Sequence, residues 1–417
     1  MTDVQRFDVI VLGGGAAGLM CAIEAGKRRR RVLLLDHAEA VGKKILISGG
    51  GRCNFTNLGC TWENFLSENP NFARSALARY TPQDFVAMVE AHRIPYHEKT
   101  LGQQFCDRSS RDIVTMLERE CAEAGVRIQV STRVDRVAAN AGGGFSVESS
   151  AGVFQAESVV VATGGLSIPK MGATGFGYDV ARGFGLRVVE TRPALVPLTF
   201  TPEDREAWCD LSGVSAEVVA TTEKLTRRGA RQPRFREKLL ITHRGVSGPA
   251  VLQISSYWKP GEPVEFDLAP GLDVFGEMTE TRDWAAAMAG VKTVLPGRWA
   301  ERWLASHAPD VRVMSNAAIS AMEEAIHAWR VIPAGTEGYV KAEVTAGGVD
   351  TAELDPRTLE ARKIPGLFFI GEVVDVTGWL GGYNTSSGPG LRGIVPDRSR
   401  KSLLDYYWTT TGLRGLG

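Results

Sequence analysis

The sequence predicts an α/β protein: a Rossmann-like nucleotide-binding domain assembled from both ends of the chain, with a β-rich domain and a small helical domain inserted between them. Three observations carry this prediction. A glycine-rich turn near the N-terminus lies between two continuous apolar runs, Val9 to Leu12 and Val32 to Leu35. Later apolar runs that end in small or acidic residues recur at 159–164 and 366–372. Between these pieces the pattern changes to alternation with turn signals, and then to helical spacing. The expected division is 1–190 with 342–417 for the nucleotide domain, 191–271 with 331–341 for the β-rich domain, and 272–330 for the helical one.

With 417 residues, 44% of them hydrophobic, the chain exceeds what one core usually accommodates. Lys plus Arg equals Asp plus Glu at 48 each, so no net field recruits a polyanion, and any nucleic-acid contact must be local. The six cysteines form no CxxC pair, and a chain of this size needs no disulfide staples, so a reduced, cytoplasmic setting and no metal site are expected. No apolar run approaches the length of a bilayer span, and MTDVQRFDVIVLGGG enters a strand without the regions of a signal peptide.

The first element is a βαβ unit, residues 7–37. Val9 to Leu12 reads as a buried parallel strand, Gly13-x-Gly15-x-x-Gly18 turns into a helix through Ala16 and Ala17, and Val32 to Leu35 is a second strand ending at Asp36. Gly13 permits the turn, Gly15 lets a pyrophosphate approach the backbone, and Gly18 lets helix and strand pack closely, while the helix N-terminus offers N–H groups to phosphate. Asp36 is placed to accept from ribose hydroxyls. The basic run Lys27 to Arg31 is either an RNA contact or a set of cations favoured by the helix C-terminus.

A nicotinamide dehydrogenase would continue into repeated βα units. Here the second strand is followed by Gly42-Lys43-Lys44-Ile45-Leu46-Ile47-Ser48-Gly49-Gly50-Gly51-Arg52-Cys53-Asn54, which points to a flavoprotein. This stretch resembles the signature of the BaiN/RdsA-type flavoproteins. The resemblance continues through 162–181, 242–258, 343–351 and 364–384, and is nearest the proteobacterial branch that contains 23S ribosomal RNA dihydrouridine synthases.

The resemblance implies bound FAD. Gly50 and Gly51 would bring backbone amides against the flavin and its diphosphate, with Lys44, Arg52 and Asn54 beside them. Reduction of a C=C bond needs an acid, for which Cys53 is the candidate; the alternative is a small packing residue. Cys106 is a second candidate thiol. Ala162, Thr163 and Gly164 are implied to close over the adenine side, Val134 to meet adenine through its backbone, Gly371 and Glu372 to lie near ribityl and pyrophosphate, and Asn384 to belong to the cofactor site. No second GxGxxG follows a strand pattern, so NAD(P)H is expected to visit the flavin transiently.

In the insert, TRRGARQPRFREK (226–238) crowds Arg227, Arg228, Arg231, Arg234, Arg236 and Lys238 around one aromatic, either to grip an RNA backbone or as a solvated hairpin tip. His243 is a substrate contact, a proton relay or a hydrogen-bonded structural residue. Trp284, Trp299, Trp303 and Trp329 fall at core spacing rather than forming base-stacking platforms.

The tail departs from the family, whose members continue after GGYN into a tryptophan-rich helix, whereas Thr385 begins a polar, breaker-rich segment. Back-translated with permitted codons, 386–400 read one base earlier gives Val-Gln-Trp-Ala-Trp-Ala-Ser-Gly-Tyr-Cys-Ala-Gly-Gln-Val-Ala, so a frameshift is expected there.

The implied function is flavin-dependent reduction of a uridine in 23S rRNA to dihydrouridine. The alternatives are reduction of a small steroid-like enone, and a non-catalytic flavin-binding redox sensor.

Overall fold

A computed structural model describes residues 4–222, 232–307 and 315–384. Arg227, Arg228, Arg231 and the whole 385–417 tail lie outside the described residues. The chain forms two compact units, Met1–Arg192 with Thr345–Gly417, and Pro193–Val344. The helices between Trp284 and His327 belong to the same unit as the β-rich sheet.

The first unit is built on a seven-stranded sheet. Its parallel part runs Arg127–Gln129, β2 (Val32–Leu35), β1 (Gln5–Leu12), Gly152–Val161 and Leu367–Phe369. Leu12 stands opposite Leu35 on one side and Val161 on the other, and Val161 stands opposite Phe369, so the strand ends share one edge. Val9 to Leu12 and Val32 to Leu35 are all buried because both faces of a parallel sheet are covered, which is why they read as unbroken apolar runs. Two antiparallel strands, Val134–Ala139 and Phe145–Ser149, extend the sheet beyond Gly152–Val161.

Helix α1 (Ala16–Lys27) follows β1 directly. A Cβ on Gly18 would lie 1.9 Å from the Gly13 carbonyl oxygen, so the close helix–strand crossing requires glycine there. The basic run at the end of α1 is engaged internally: Lys27 pairs with Glu120 at 2.6 Å, Arg28 with Glu24 at 2.7 Å and Arg31 with Asp8 at 2.9 Å. These pairs favour the helix-end reading over the RNA one.

The second unit holds a seven-stranded sheet that pairs antiparallel throughout, centred on Ser215–Thr222 and Arg234–Ile241. Beside it lie the helices Trp284–Val294, Gly297–His307 and Asn316–His327. Trp299 and Trp303 are fully buried, with Trp299 edge-on to Trp329 at 5.7 Å and Trp303 stacked on Phe275 at 5.9 Å. They are core residues and offer no face to a nucleobase. Among the described residues no helix is long and apolar enough to cross a membrane.

Candidate functional site

A cavity of about 330 Å³ opens at the shared strand edge of the first unit. The sequence-predicted residues Gly13, Gly15, Asp36, Lys44, Val134, Ala162, Thr163 and Gly164 all line it. Gly13 has φ +108° and a Cβ there would meet the Ala162 carbonyl oxygen at 2.4 Å, which explains glycine at the turn. Gly15 is different: its φ is −79°, and a Cβ would find nothing within 4 Å. The packing of the protein does not itself require glycine at 15, and the space beside it is open to a ligand. Gly15 caps α1 without any side-chain hydrogen bond, and no acid occupies the first turn, so the N–H groups of that turn are available to an anion.

Two further observations fit a dinucleotide. The Thr163 hydroxyl is buried without a hydrogen-bond partner, a state that costs about 1–3 kcal/mol unless a ligand satisfies it. Lys43, Lys44, His37 and Arg133 bring positive or protonatable groups to the wall. Asp36 departs from the simple expectation: its carboxylate already accepts from Gly14 N at 2.6 Å and Ala38 N at 2.7 Å. It therefore pins the glycine turn, and its oxygens retain further lone pairs toward the cavity.

Lys44, on α2 (Lys43–Ile47), enters a closed network. Its ammonium donates to Ser167 Oγ at 2.7 Å and lies 3.3 Å from Glu372 Oε2. Ser167 Oγ donates to Glu372 Oε1 at 3.1 Å, and Thr345 N donates to the same oxygen at 2.9 Å. Thr345 Oγ1 in turn accepts from Leu166 N at 2.8 Å and Ser167 N at 3.1 Å. The side chains of Lys44 and Glu372 keep 36% and 22% exposure, so their pair contributes only about 0–1 kcal/mol. Fixing a lysine side chain gives up roughly 2 kcal/mol of rotamer freedom. The short bond to fully buried Ser167 is the contact that makes up the difference. Ser167 and Thr345 were not singled out from sequence; nothing local marks them, because their partners are 123 and 27 residues away.

Of the other predicted residues, Gly371 (φ +72°) packs on Ala17, where a Cβ would come to 2.9 Å of the Ala17 methyl. Gly50 and Gly51 have φ of +66° and +85° with open space beside them, and Arg52 after them is exposed. The glycine run is thus a left-handed turn with an accessible backbone. The Asn54 carboxamide, turned to suit its neighbours, accepts from Gly382 N at 3.2 Å, and Asn384 brackets the same loop by accepting from Gly378 N at 2.8 Å. Both asparagines hold the 378–384 loop in place, a role that sequence reasoning did not assign them.

Cys53 adopts φ +48° and is fully buried. Burial pushes its thiol up to about 11 against a lowering hydrogen bond from Ser48, and burial likewise pushes the Cys106 thiol up to about 12. A proton donor must touch its substrate, so this geometry favours the packing alternative for Cys53 and leaves Cys106 equally enclosed.

In the second unit Arg234, Arg236 and Lys238 are exposed in alternation along one strand, and Arg236 bonds Glu217 at 2.8 Å. His243 is exposed in the Thr242–Gly245 turn, with no side-chain hydrogen bond recorded among the described residues, which disfavours its structural reading.

The family described as HI0933-like protein Rossmann domain matches residues 7–388. A ribosomal RNA dihydrouridine synthase of Escherichia coli (strain K12) is 49% identical, covering 91% of this chain and 95% of that one. A protein of the same name from Haemophilus influenzae is 44% identical over 91% and 95%. A 3-dehydro-bile acid delta(4,6)-reductase of Clostridium scindens is 30% identical over 90% and 94%.

Proposed function

Since the chain belongs to the HI0933-like Rossmann family and is an oxidoreductase, we propose that it binds FAD and reduces the 5,6 double bond of a uridine in 23S rRNA to dihydrouridine, with NAD(P)H as reductant. The observation that carries this reading is 49% identity, across nearly all of both chains, to a ribosomal RNA dihydrouridine synthase. A cytoplasmic location follows from that substrate.

FAD supplies two-electron hydride chemistry when bound. The chain's own residues bind and orient. The Gly13–Gly15 turn and the start of α1 would hold the diphosphate, Lys44 would add positive charge, Asp36 and Val134 would serve the adenosine end, and the Thr163 hydroxyl would gain a partner. The exposed Arg234, Arg236 and His243 supply contacts to the RNA backbone in a protein whose net charge is zero. The reaction consumes one proton at the carbon that does not take hydride. With Cys53 enclosed, we assign it to packing, and the proton to a group that faces the substrate.

A second reading, reduction of a C=C bond in a small enone, is favoured by the 30% identity to the bile-acid reductase. The relatives are named as enzymes, which sets the sensor alternative aside. Mass mapping of 23S rRNA from a deletion strain, with and without this chain supplied back, tests the first reading. Dihydrouridine should vanish and return; an unchanged level on deletion overturns it, and NADH oxidation driven by an enone in the purified protein would then support the second.

A further inference from the structure

Four segments of the first unit, distant in sequence, meet where Lys44, Ser167, Thr345 and Glu372 join. We propose that Ser167, held by Thr345, is a positioning residue that acts through Lys44: its hydroxyl fixes the ammonium in advance and leaves one N–H for an anionic group of a dinucleotide in the cavity that Lys44 lines. This rests on the reading that the cavity takes FAD.

The direction of every bond in the network is fixed by chemistry. An ammonium only donates, a carboxylate only accepts, and a serine hydroxyl has a single proton. Glu372 therefore takes the Ser167 proton, and the Ser167 lone pair takes an N–H from Lys44. Of the three N–H groups on Lys44, Ser167 and Glu372 use two. Thr345 stabilises the arrangement twice, through its own N–H on Glu372 and through its hydroxyl, which holds the backbone of Leu166 and Ser167. Gly165 shows how tightly the network closes, since a Cβ there would lie 2.5 Å from Thr345 Oγ1 and 2.6 Å from Glu372 Oε1. Ser167 and Thr345 are not among the residues lining the cavity, so their influence on a ligand there passes through Lys44.

The test is a double-mutant cycle on FAD affinity, read by flavin fluorescence on apoprotein, with the melting temperature of each apoprotein alongside. Ser167→Ala should weaken FAD about five- to tenfold, and Lys44→Met at least as much. In the Lys44→Met background, Ser167→Ala should change the affinity by less than about twofold. Thr345→Val, which keeps the side-chain shape, serves as the second variant: a loss of about threefold alone, and none beside Lys44→Met. A Ser167→Ala affinity equal to wild type, or losses that multiply in either double variant, overturns the positioning role. Wild-type apoprotein that takes up no FAD overturns the cofactor reading itself, which keeps the two failures apart.

Discussion

Gly15 and Gly18 belong to one motif, yet the structure assigns them opposite sensitivities. Gly15 sits at φ −79° and ψ −176°, which alanine adopts freely, and a Cβ there meets no protein atom within 4 Å. Gly15→Ala restricts the unfolded chain, which favours folding by about 0.4–1 kcal/mol. It also loses the preference of a helix N-cap for glycine over alanine, a similar amount in the other direction. The apoprotein should therefore stay within about 0.5 kcal/mol of wild type, or about 2 °C in melting temperature. Gly18→Ala places a Cβ 1.9 Å from the Gly13 oxygen, a backbone atom that cannot rotate away. Overpacking costs up to about 3 kcal/mol, against which the helix gains about 1, so the melting temperature should fall by about 4–8 °C. FAD affinity separates the two further. Gly15→Ala fills the space proposed for a pyrophosphate and should weaken binding at least tenfold while the fold is untouched. Calorimetry of the apoproteins and flavin titration measure both quantities. Wild-type FAD affinity in Gly15→Ala would refute the placement of the diphosphate, and a large stability loss in that variant would refute the open space.

Three further outcomes are expected. His327 lies between Asp267 at 2.7 Å and Glu323 at 2.9 Å; burial opposes its charge, but the bonds to both carboxylates prevail and raise its pKa above the ordinary 6.5. Its contribution to stability is full below that ordinary value and is lost as pH rises through the raised one, so the urea midpoint should fall between pH 6 and pH 9 more in wild type than in His327→Gln. Maleimide should label half-buried Cys60 and Cys209 in the folded protein, and reach Cys21, Cys53, Cys106 and Cys121 only on unfolding; prompt labelling of Cys53 would refute its enclosure. The frameshift proposed for 386–400 is checked by resequencing the locus, and an unbroken frame with clean reads refutes it.

The cavity was legible because its parts are local. The Gly13–Gly18 turn, the strand that ends at Asp36 and the run before Ala162 each carry their own pattern of glycine, apolar residues and polarity. The Lys44 network was not, because closure depends on segments that only the folded sheet brings together, and a buried serine has no periodic signature. For Cys53 the sequence left two roles open, an acid and a packing residue. The need of a flavin reductase for a proton donor made its thiol a candidate, whereas the structure buries that side chain fully. Trp299 and Trp303 read correctly as core because helical spacing places them on one buried stripe.

The strand Leu367–Phe369, which pairs with Gly152–Val161, is among the last segments of the first unit to be synthesised, after the whole of Pro193–Val344. The edge of Gly152–Val161 is therefore synthesised well before the neighbour that covers it. The residues that line the cavity, Leu12 to Phe176, all precede the inserted unit, whereas Thr345 and Glu372, which close the Lys44 network, follow it. A nascent chain arrested before residue 367 would carry the glycine turn yet lack the carboxylate that Lys44 and Ser167 share.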